Sequence, residues 1–186
     1  MFMILTSNVV NPPFFTEENI KKIISDGDYA MIESASSEDV DMSKAEQVRK
    51  CALLSKFLTA SGFPHRQITG SYEGIKTNFS FFVIKPDQVD LTKFRQVIFC
   101  LGEQFKQESV ILSSQGYVEL VFTTGENTGK ALIGKGFNSK IAKNFSEIPT
   151  SGGKSYFIGE YHLDRQRLVA WKAASAPCRL FLHSRL

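Results

Sequence analysis

Hydrophobic and polar positions follow a regular pattern between residues 66 and 122, which predicts a hairpin, an amphipathic helix and a second hairpin. The helix is the clearest element, because its apolar residues recur at intervals of three, four and seven. A sheet and a helix with matching apolar faces are the minimum for a two-layer core. The predicted strands are residues 66–72, 78–84, 109–112 and 117–123, and the predicted helix is 91–105, with a stripe of Leu91, Phe94, Val97, Ile98, Leu101 and Phe105.

Two of these strands differ in their predicted burial. Residues 78–84 carry apolar groups at odd and even positions alike, which is typical of a central strand covered on both faces. Residues 117–123 alternate between two sets, which predicts one buried and one partly exposed face. The buried set is Val118, Leu120 and Phe122, and the other set is Tyr117, Glu119 and Val121.

Two further helices are predicted before this unit. Thr16 is a good N-cap for the first, which Gly27 would end. The second begins at Ser43, which forms a capping box with Glu46, and ends near Gly62. Its apolar residues fall in two seams, so we expect this helix to be contacted on two sides. The seams are Val48, Cys51, Leu54 and Leu58 on one side, and Leu53, Phe57 and Ala60 on the other.

These elements predict an α+β fold in which a mostly antiparallel sheet packs against two or three helices. The 186 residues suit a single domain, which we place at residues 1–163 with a core unit at 43–123. Residues 164–186 show no clear period and are predicted to be an irregular C-terminal extension. This extension holds five basic residues and one acid, so the total charge of +3 leaves the body at about −1. The overall charge is therefore a poor argument for nucleic-acid binding.

The composition is that of a soluble protein with a packed interior, since 16 phenylalanines accompany a single tryptophan. The three cysteines Cys51, Cys100 and Cys178 include no closely spaced pair, which favours buried reduced thiols in a cytoplasmic protein. The apolar start, residues 1–10, is short and has no basic flank, so we predict neither a signal peptide nor a membrane span. We expect no metal and no cofactor, because the histidines have no metal-ligand spacing.

Seven short segments between residues 45 and 122 form a further pattern: residues 48–49, Gly62, 70–74, 78–83, 101–102, 105–110 and 119–121. Over roughly residues 45–122 the chain resembles, through these segments, a family of small uncharacterised domains found in bacteria and bacteriophages. The resemblance implies a microbial or phage origin, in a bacterial cell or an infected host, and no established activity. Two positions depart from the family pattern, since Asn78 stands where an acid is common and Lys106 replaces a small residue.

The segment after Gly125 holds the first candidate binding residues. It has no acid between Glu126 and Glu147, and its lysines and phenylalanine could neutralise phosphates and stack on bases. The alternative is a solvated lysine face whose phenylalanines reach into the core, and we favour it because the body is near neutral. Residues 125–131 are one residue too short for a phosphate-binding loop and are predicted to be a hairpin turn. The candidate residues are Lys130, Lys135, Phe137, Lys140 and Lys143.

A second set of polar residues lies within the central unit, where Tyr72, Glu73 and Gln107 stand at the motifs of the resemblance. With His65, Ser80 and Glu119 they could form a catalytic site only if the hairpins bring them together. We predict structural roles instead, because the sequence shows no nucleophile with its base. A buried Ser80 in a strand rich in phenylalanine would need a hydrogen-bond partner.

The sequence therefore favours a non-enzymatic binding or accessory protein of phage origin that docks on a host macromolecule or a larger assembly. The expected partner is a protein, and no membrane contact is expected. The first alternative is nucleic-acid binding through the lysine segment and the basic end. The second is a small enzyme with a site around Tyr72, Glu73 and Gln107.

Overall fold

The structure, a computed structural model, describes residues 12–34, 42–72, 75–137, 145–158 and 161–171. Within these residues a 3-10 helix, Pro12–Phe15, precedes three α-helices, which are α1 (Glu17–Asp26), α2 (Lys44–Ala60) and α3 (Leu91–Gln104). Nine strands make up the rest of the regular structure. They are β1 (Tyr29–Glu33), β2 (His65–Tyr72), β3 (Ile75–Ile84), β4 (Ser109–Ser114), β5 (Tyr117–Phe122), β6 (Lys130–Phe137), β7 (Phe145–Pro149), β8 (Ser155–Ile158) and β9 (Tyr161–Ala170).

The nine strands form one sheet in the order β8-β7-β2-β3-β1-β4-β5-β6-β9. Every neighbouring pair is antiparallel. The predicted α+β fold, with an antiparallel sheet packed against helices, is therefore confirmed. Both predicted hairpins are present as β2–β3 and β4–β5.

The helices begin where the sequence predicts, because side-chain oxygens satisfy their first backbone donors. Thr16 caps α1 by accepting a hydrogen bond from the Asn19 amide, and Ser43 caps α2 by accepting one from the Glu46 amide. Asp90 caps α3 in the same way. After α2 the chain turns at Gly62, whose φ of +73° is one that an L side chain rarely adopts.

Helices cover the sheet on both faces, and β3 lies between the two cores. Phe81 and Val83 belong to a core built with α2 and α3, whereas Phe82 and Ile84 belong to a second core beneath α1. All four side chains are at most 5% exposed. This confirms the prediction of a central strand covered on both faces.

The prediction that α2 is contacted on two sides is met only in part. Cys51, Leu54 and Leu58 are buried against the sheet, but Val48 is 54% exposed and Leu53 is 39% exposed. In the second seam Phe57 is half-buried and packs on Phe105 with ring centroids 6.2 Å apart, whereas Ala60 is exposed like Leu53. Each seam therefore has buried and exposed apolar side chains.

The predicted boundary at residue 164 is also wrong, because β9 spans Tyr161–Ala170 and forms the edge of the sheet beside β6. Trp171 follows directly, is only 6% exposed, and belongs to the first core. Part of the predicted extension is therefore a structural strand. Residues 172–186 lie outside the described residues.

Two observations concern the predicted setting of the protein. Cys51 is a buried free thiol, but Cys100 is disulfide-bonded, so the expectation of reduced thiols does not hold at Cys100. Among the described helices, none has both the length and the apolar composition that crossing a membrane requires.

Candidate functional site

A row of apolar side chains crosses one face of the sheet and runs beyond the helix that covers it. Residues directly opposite each other in antiparallel strands share a face. The strand register pairs Phe82 with Met31, Met31 with Ile111, Ile111 with Leu120, Leu120 with Leu132, and Leu132 with Leu168. The row thus passes from β3 through β1, β4, β5 and β6 to the edge strand β9.

Exposure increases along this row. Phe82 is fully buried and Met31 is 6% exposed beneath α1, whereas Leu168 at the far edge is 40% exposed. The residues between them are half-buried, as is Phe122 on the same face of β5. We call this half of the face the open face, and we define it as Ile111, Leu120, Phe122, Leu132 and Leu168.

The two faces of β5 and β6 differ in how far their side chains are buried. On the side of α3, Val121 of β5 and Ala131 of β6 are at most 1% exposed and belong to the first core. On the side of α1, only Ile111 of the open face packs against the second core. Because α1 has only ten residues, it covers the sheet from β8 to β1 and ends near the β4–β5 turn.

Sequence reasoning missed this surface because β5 does not bury one alternating set of residues and expose the other. Val118 is buried as predicted, but Leu120 and Phe122 are only half-buried. Val121, assigned to the exposed set, is fully buried. β5 has apolar residues at both odd and even positions. This pattern indicates apolar side chains on both faces of the strand, but it does not indicate which face a helix covers.

A polar cluster on the opposite face anchors the end of β9. Glu119 of β5 accepts hydrogen bonds from the Arg95 guanidinium of α3 and from Nε1 of Trp171, the latter at 3.1 Å. The Arg95 guanidinium also lies 5.5 Å from the centre of the Trp171 ring, and Trp171 stacks on Phe99 with centroids 4.9 Å apart. These contacts give Glu119 a structural role, as predicted.

His65 is a second predicted site residue, and the structure pairs it with Ser55. Ser55 Oγ lies 2.9 Å from His65 Nε2, and His65 Nδ1 lies 2.8 Å from the Phe63 carbonyl oxygen. Since a carbonyl can only accept, Nδ1 carries the proton and Nε2 accepts from the Ser55 hydroxyl. A serine–histidine contact is the geometry of a nucleophile with its base. Here both ring nitrogens are satisfied and His65 is 3% exposed, so the pair joins α2 to β2.

The protonation of His65 should make the stability depend on pH. Burial lowers the pKa of His65, and the hydrogen bond to the Phe63 carbonyl only partly opposes this. Below about pH 6.5 the unfolded chain binds a proton that the folded chain resists, so the free energy of unfolding should fall as the pH drops from 7 to 5. Denaturant titrations at several pH values measure this slope. In His65→Gln, which cannot titrate, the slope should be smaller, and an unchanged slope would contradict the assignment.

Ser80 has the partner that its burial requires. Its hydroxyl donates to Glu33 Oε1 at 3.0 Å across the β1–β3 pair. Glu33 is exposed when the whole residue is considered. Desolvation of its carboxylate nevertheless raises the pKa of that group, and the hydrogen bond from Ser80 opposes the rise. The prediction of a hydrogen-bonded Ser80 is confirmed.

Gln107 is buried between α3 and β4, and its contacts are those of a structural residue. Its backbone carbonyl accepts hydrogen bonds from the hydroxyls of Thr123 and Thr124. Tyr72 ends β2, which β3 and β1 separate from β4. The structure therefore does not bring the backbones of these two candidates together. The side chain of Tyr72 and all of Glu73 lie outside the described part of the chain.

Residues 123–129 connect β5 to β6 in a hairpin, so the predicted turn is present, although Lys130 and Ala131 already belong to β6. Gly125 and Gly129 both have positive φ angles, and the Gly129 amide donates to the Phe122 carbonyl to close the turn. Lys130 is exposed and its Nζ contacts Asn127 Oδ1 at 3.2 Å. The loop thus has the hydrogen bonds of a hairpin turn. Its geometry gives no support to a phosphate-binding loop.

Of the other three lysines of this segment, only Lys135 lies within the described residues. Lys135 lies on β6, where its backbone pairs with Tyr117 of β5, and its side chain is not described. Phe137 ends β6, and its side chain is not described. Lys140 and Lys143 lie outside the described residues.

Within the part of the chain that the structure describes, no group of three or more His, Cys, Asp or Glu side chains is arranged to hold a metal ion.

Two comparisons with known proteins bear on the identity of this chain. No model of a known protein family and no curated protein matches this sequence. The resemblance to a bacterial and bacteriophage family therefore stays a prediction.

Proposed function

We propose that this protein is a non-enzymatic binding protein that docks on another protein through the open face. The observation that carries the proposal is the apolar row that continues from beneath α1 to the exposed Leu168. Burying a leucine side chain that water otherwise contacts contributes about 1.5–3 kcal/mol. Because four side chains of the open face are already half-buried and Leu168 is 40% exposed, a partner that covers the face gains only part of this contribution at each position.

The size of the open face suggests the kind of partner. The open face has five side chains. With strands about 4.8 Å apart and same-face residues about 6.8 Å apart along a strand, they cover roughly 160 Å². A whole folded domain usually buries about 800 Å² per partner. We therefore propose that the open face takes one short, uncharged, apolar segment of the partner protein.

The setting of the partner follows from the resemblance. A bacterial or phage origin makes a host protein, or a subunit of a larger phage assembly, the natural source of such a segment. The proposal includes the cytoplasm of a bacterial cell as the place of binding. Nothing in the geometry of Lys130 favours the nucleic-acid alternative, which would require affinity that falls steeply with salt.

The direct test replaces Leu168 by aspartate. Because Leu168 is already 40% exposed, Leu168→Asp should fold normally while placing a charge where the apolar segment binds. We expect capture of the partner from bacterial lysate to weaken at least tenfold, since losing about 1.4 kcal/mol is a factor of ten. The measurement is quantitative pull-down followed by titration of the captured protein.

Val48→Asp is the matched control, because Val48 is 54% exposed on α2, which lies on the other side of the sheet. It introduces the same charge on a different apolar position and should leave capture unchanged. Equal loss in both variants, or equal capture by all three proteins, would show that the open face is not the docking surface. A chain that captures nothing and does not self-associate would overturn the proposal.

A further inference from the structure

We infer that the partner segment binds as an extended strand added to the free edge of β9, with its backbone hydrogen-bonded to Leu168 and Ala170. This binding mode rests on the proposed function, because it specifies how the partner reaches the open face. β9 is the last strand of the sheet and pairs with β6 along one side. Among the described residues, no strand and no backbone hydrogen bond lies along its other side.

The direction of the backbone groups of β9 follows from its pairing with β6. Opposite residues in an antiparallel pair alternate between hydrogen-bonded and non-hydrogen-bonded positions. The Trp171 amide donates to the Gly129 carbonyl at 2.8 Å, one position beyond the pairing of Ala170 with β6. Ala170 is therefore at a non-hydrogen-bonded position, and so is Leu168 two residues earlier. The N–H and C=O groups of both residues consequently point away from β6, toward the free edge.

The spacing of these groups selects an extended polypeptide as the ligand. Residues 168–170 pair with β6 in a regular register, so the two outward positions are about 6.8 Å apart along the strand. A second strand offers amides and carbonyls at the same repeat, and at each position the opposed residues exchange both of their hydrogen bonds. The register shifts before Leu168, between Leu132 and Gly134 of β6, which limits regular pairing to a short segment.

Pairing at this edge also places side chains of the partner beside the open face. Leu168 belongs to the open face and is 40% exposed, whereas the neighbouring Val169 packs against the first core. A partner residue directly opposite Leu168 lies on the same face of the sheet, with its Cβ atom about 4.5–5.5 Å away. The added strand therefore extends the apolar row by one more strand and covers the exposed side of Leu168.

The backbone contacts supply affinity that the open face alone does not provide. Its five side chains cover roughly 160 Å², far below the 800 Å² or so that each partner buries in a standard interface. Each hydrogen bond to the edge typically strengthens binding about two- to tenfold. Trp171 fixes the end of β9 by donating from Nε1 to Glu119, so the edge is ordered without the partner and little entropy is lost in forming it.

The opposite edge of the sheet is a poorer site for such a segment. β8 is the short strand Ser155–Ile158, and α1 covers the face of the sheet beside it. Ile158 is 2% exposed in the second core, so a strand added there would find no open apolar surface. Among the described strands, β9 is the one that combines outward backbone groups with exposed apolar side chains.

A second copy of this chain is the alternative occupant of the same edge. Two β9 strands can pair with each other antiparallel, because Leu168 of one copy and Ala170 of the other both direct their backbone groups outward. Regular pairing would, however, be confined to residues 168–170 of each copy, which buries far less than the 800 Å² or so per partner of a stable dimer. A flexible segment of another protein fits this short edge better.

Amide hydrogen exchange of the full-length protein, followed by nuclear magnetic resonance, tests the edge directly. In the free protein, the outward amides of Leu168 and Ala170 should exchange at least about a hundredfold faster than the inward amides of Val169 and Trp171. The probe is a synthetic heptapeptide, blocked at both ends, in which four valines alternate with three threonines. At millimolar concentration it should slow exchange at Leu168 and Ala170 at least about threefold, which corresponds to occupancy of two-thirds of the molecules. The same peptide N-methylated at every amide should have no effect.

The variant Ala170→Pro removes one outward amide and leaves the hydrogen bonds to β6 in place. Proline is tolerated on an edge strand where the N–H faces solvent, so the variant should fold. Ala170→Val is the matched control, because it keeps the amide. We expect Ala170→Pro to weaken binding of the heptapeptide about two- to tenfold and Ala170→Val to bind it like the wild type. Chemical-shift titrations measure the dissociation constants.

Equal protection of the Leu168 and Val169 amides in the free protein would overturn the inference, because another part of the chain or a second copy would then occupy the edge. Protection that depends on protein concentration would identify the second copy. Unchanged exchange with the heptapeptide, or equal binding by Ala170→Pro and the wild type, would also overturn it.

The two proposals can fail separately. Partner capture that requires Leu168 but is unaffected by Ala170→Pro keeps the open face as the docking surface and removes strand addition. Protection of Ala170 by the heptapeptide that is undiminished in Leu168→Asp, combined with unchanged partner capture by that variant, keeps strand addition and removes the open face.

Discussion

Replacing Trp171 by alanine is expected to lower the free energy of unfolding by about 3–5 kcal/mol, as large-to-small changes of buried aromatic residues do. Trp171 is 6% exposed, stacks on Phe99 and donates to Glu119 from Nε1. Its removal leaves a cavity beside α3 and deprives the Glu119 carboxylate of one donor. Chemical denaturation followed by far-ultraviolet circular dichroism measures the loss without depending on tryptophan fluorescence.

The control variant Trp171→Phe separates the two contributions. It keeps an aromatic ring against Phe99 but removes the indole N–H, so it should cost only about 1–3 kcal/mol, the usual contribution of a hydrogen bond to a charged group. The lower end is expected because the Glu119 side chain is 20% exposed. If Trp171→Ala unfolds with wild-type stability, the end of β9 is an appendage, as the sequence had predicted.

Replacing Leu54 by alanine should cost about 2–5 kcal/mol, because Leu54 is fully buried in the first core and neighbouring side chains fill the vacated space only in part. The adjacent Leu53 provides a matched control in the same helix. It is 39% exposed, so Leu53→Ala should change the stability by less than about 1 kcal/mol. Alanine also has the higher helix propensity, which offsets part of that loss.

The pair of leucine variants tests which sides of α2 are packed. The sequence pattern treats Leu53 and Leu54 alike, as members of two apolar seams, whereas the structure buries Leu54 and exposes Leu53. The two midpoints of urea unfolding should therefore differ clearly. Equal and large losses in both variants would mean that another part of the molecule covers Leu53.

Local features of the chain could be predicted well because short-range physics determines them. The predicted caps at Thr16 and Ser43 satisfy backbone donors three residues away. Gly62 and Gly116 have positive φ angles at chain reversals that the sequence also indicated. The sequence indicated that a buried Ser80 needs a hydrogen-bond partner. It could not identify that partner as Glu33, because 47 residues separate the two.

The candidate site could not be predicted, since it depends on what covers a surface. Leu120 and Val121 are neighbours in sequence and similar in polarity, yet one is half-buried and the other fully buried. The difference arises because α3 lies over one face of β5 and α1 ends before it reaches the other. Likewise, Leu168 was assigned to an irregular extension because the hairpin and helix patterns end before it. Only pairing with β6 makes it part of the sheet.

By itself, the sequence determined the elements of the central unit, the starts of the helices, the antiparallel pairing of the hairpins and the burial of β3 on both faces. These follow from hydrophobic periodicity and capping, which act over a few residues. The tertiary structure alone decided the order of the nine strands, which apolar residues of α2 are buried, the anchoring of β9 through Trp171 and the existence of the open face. Each of these depends on contacts between residues far apart in the chain, whose geometry no local pattern encodes.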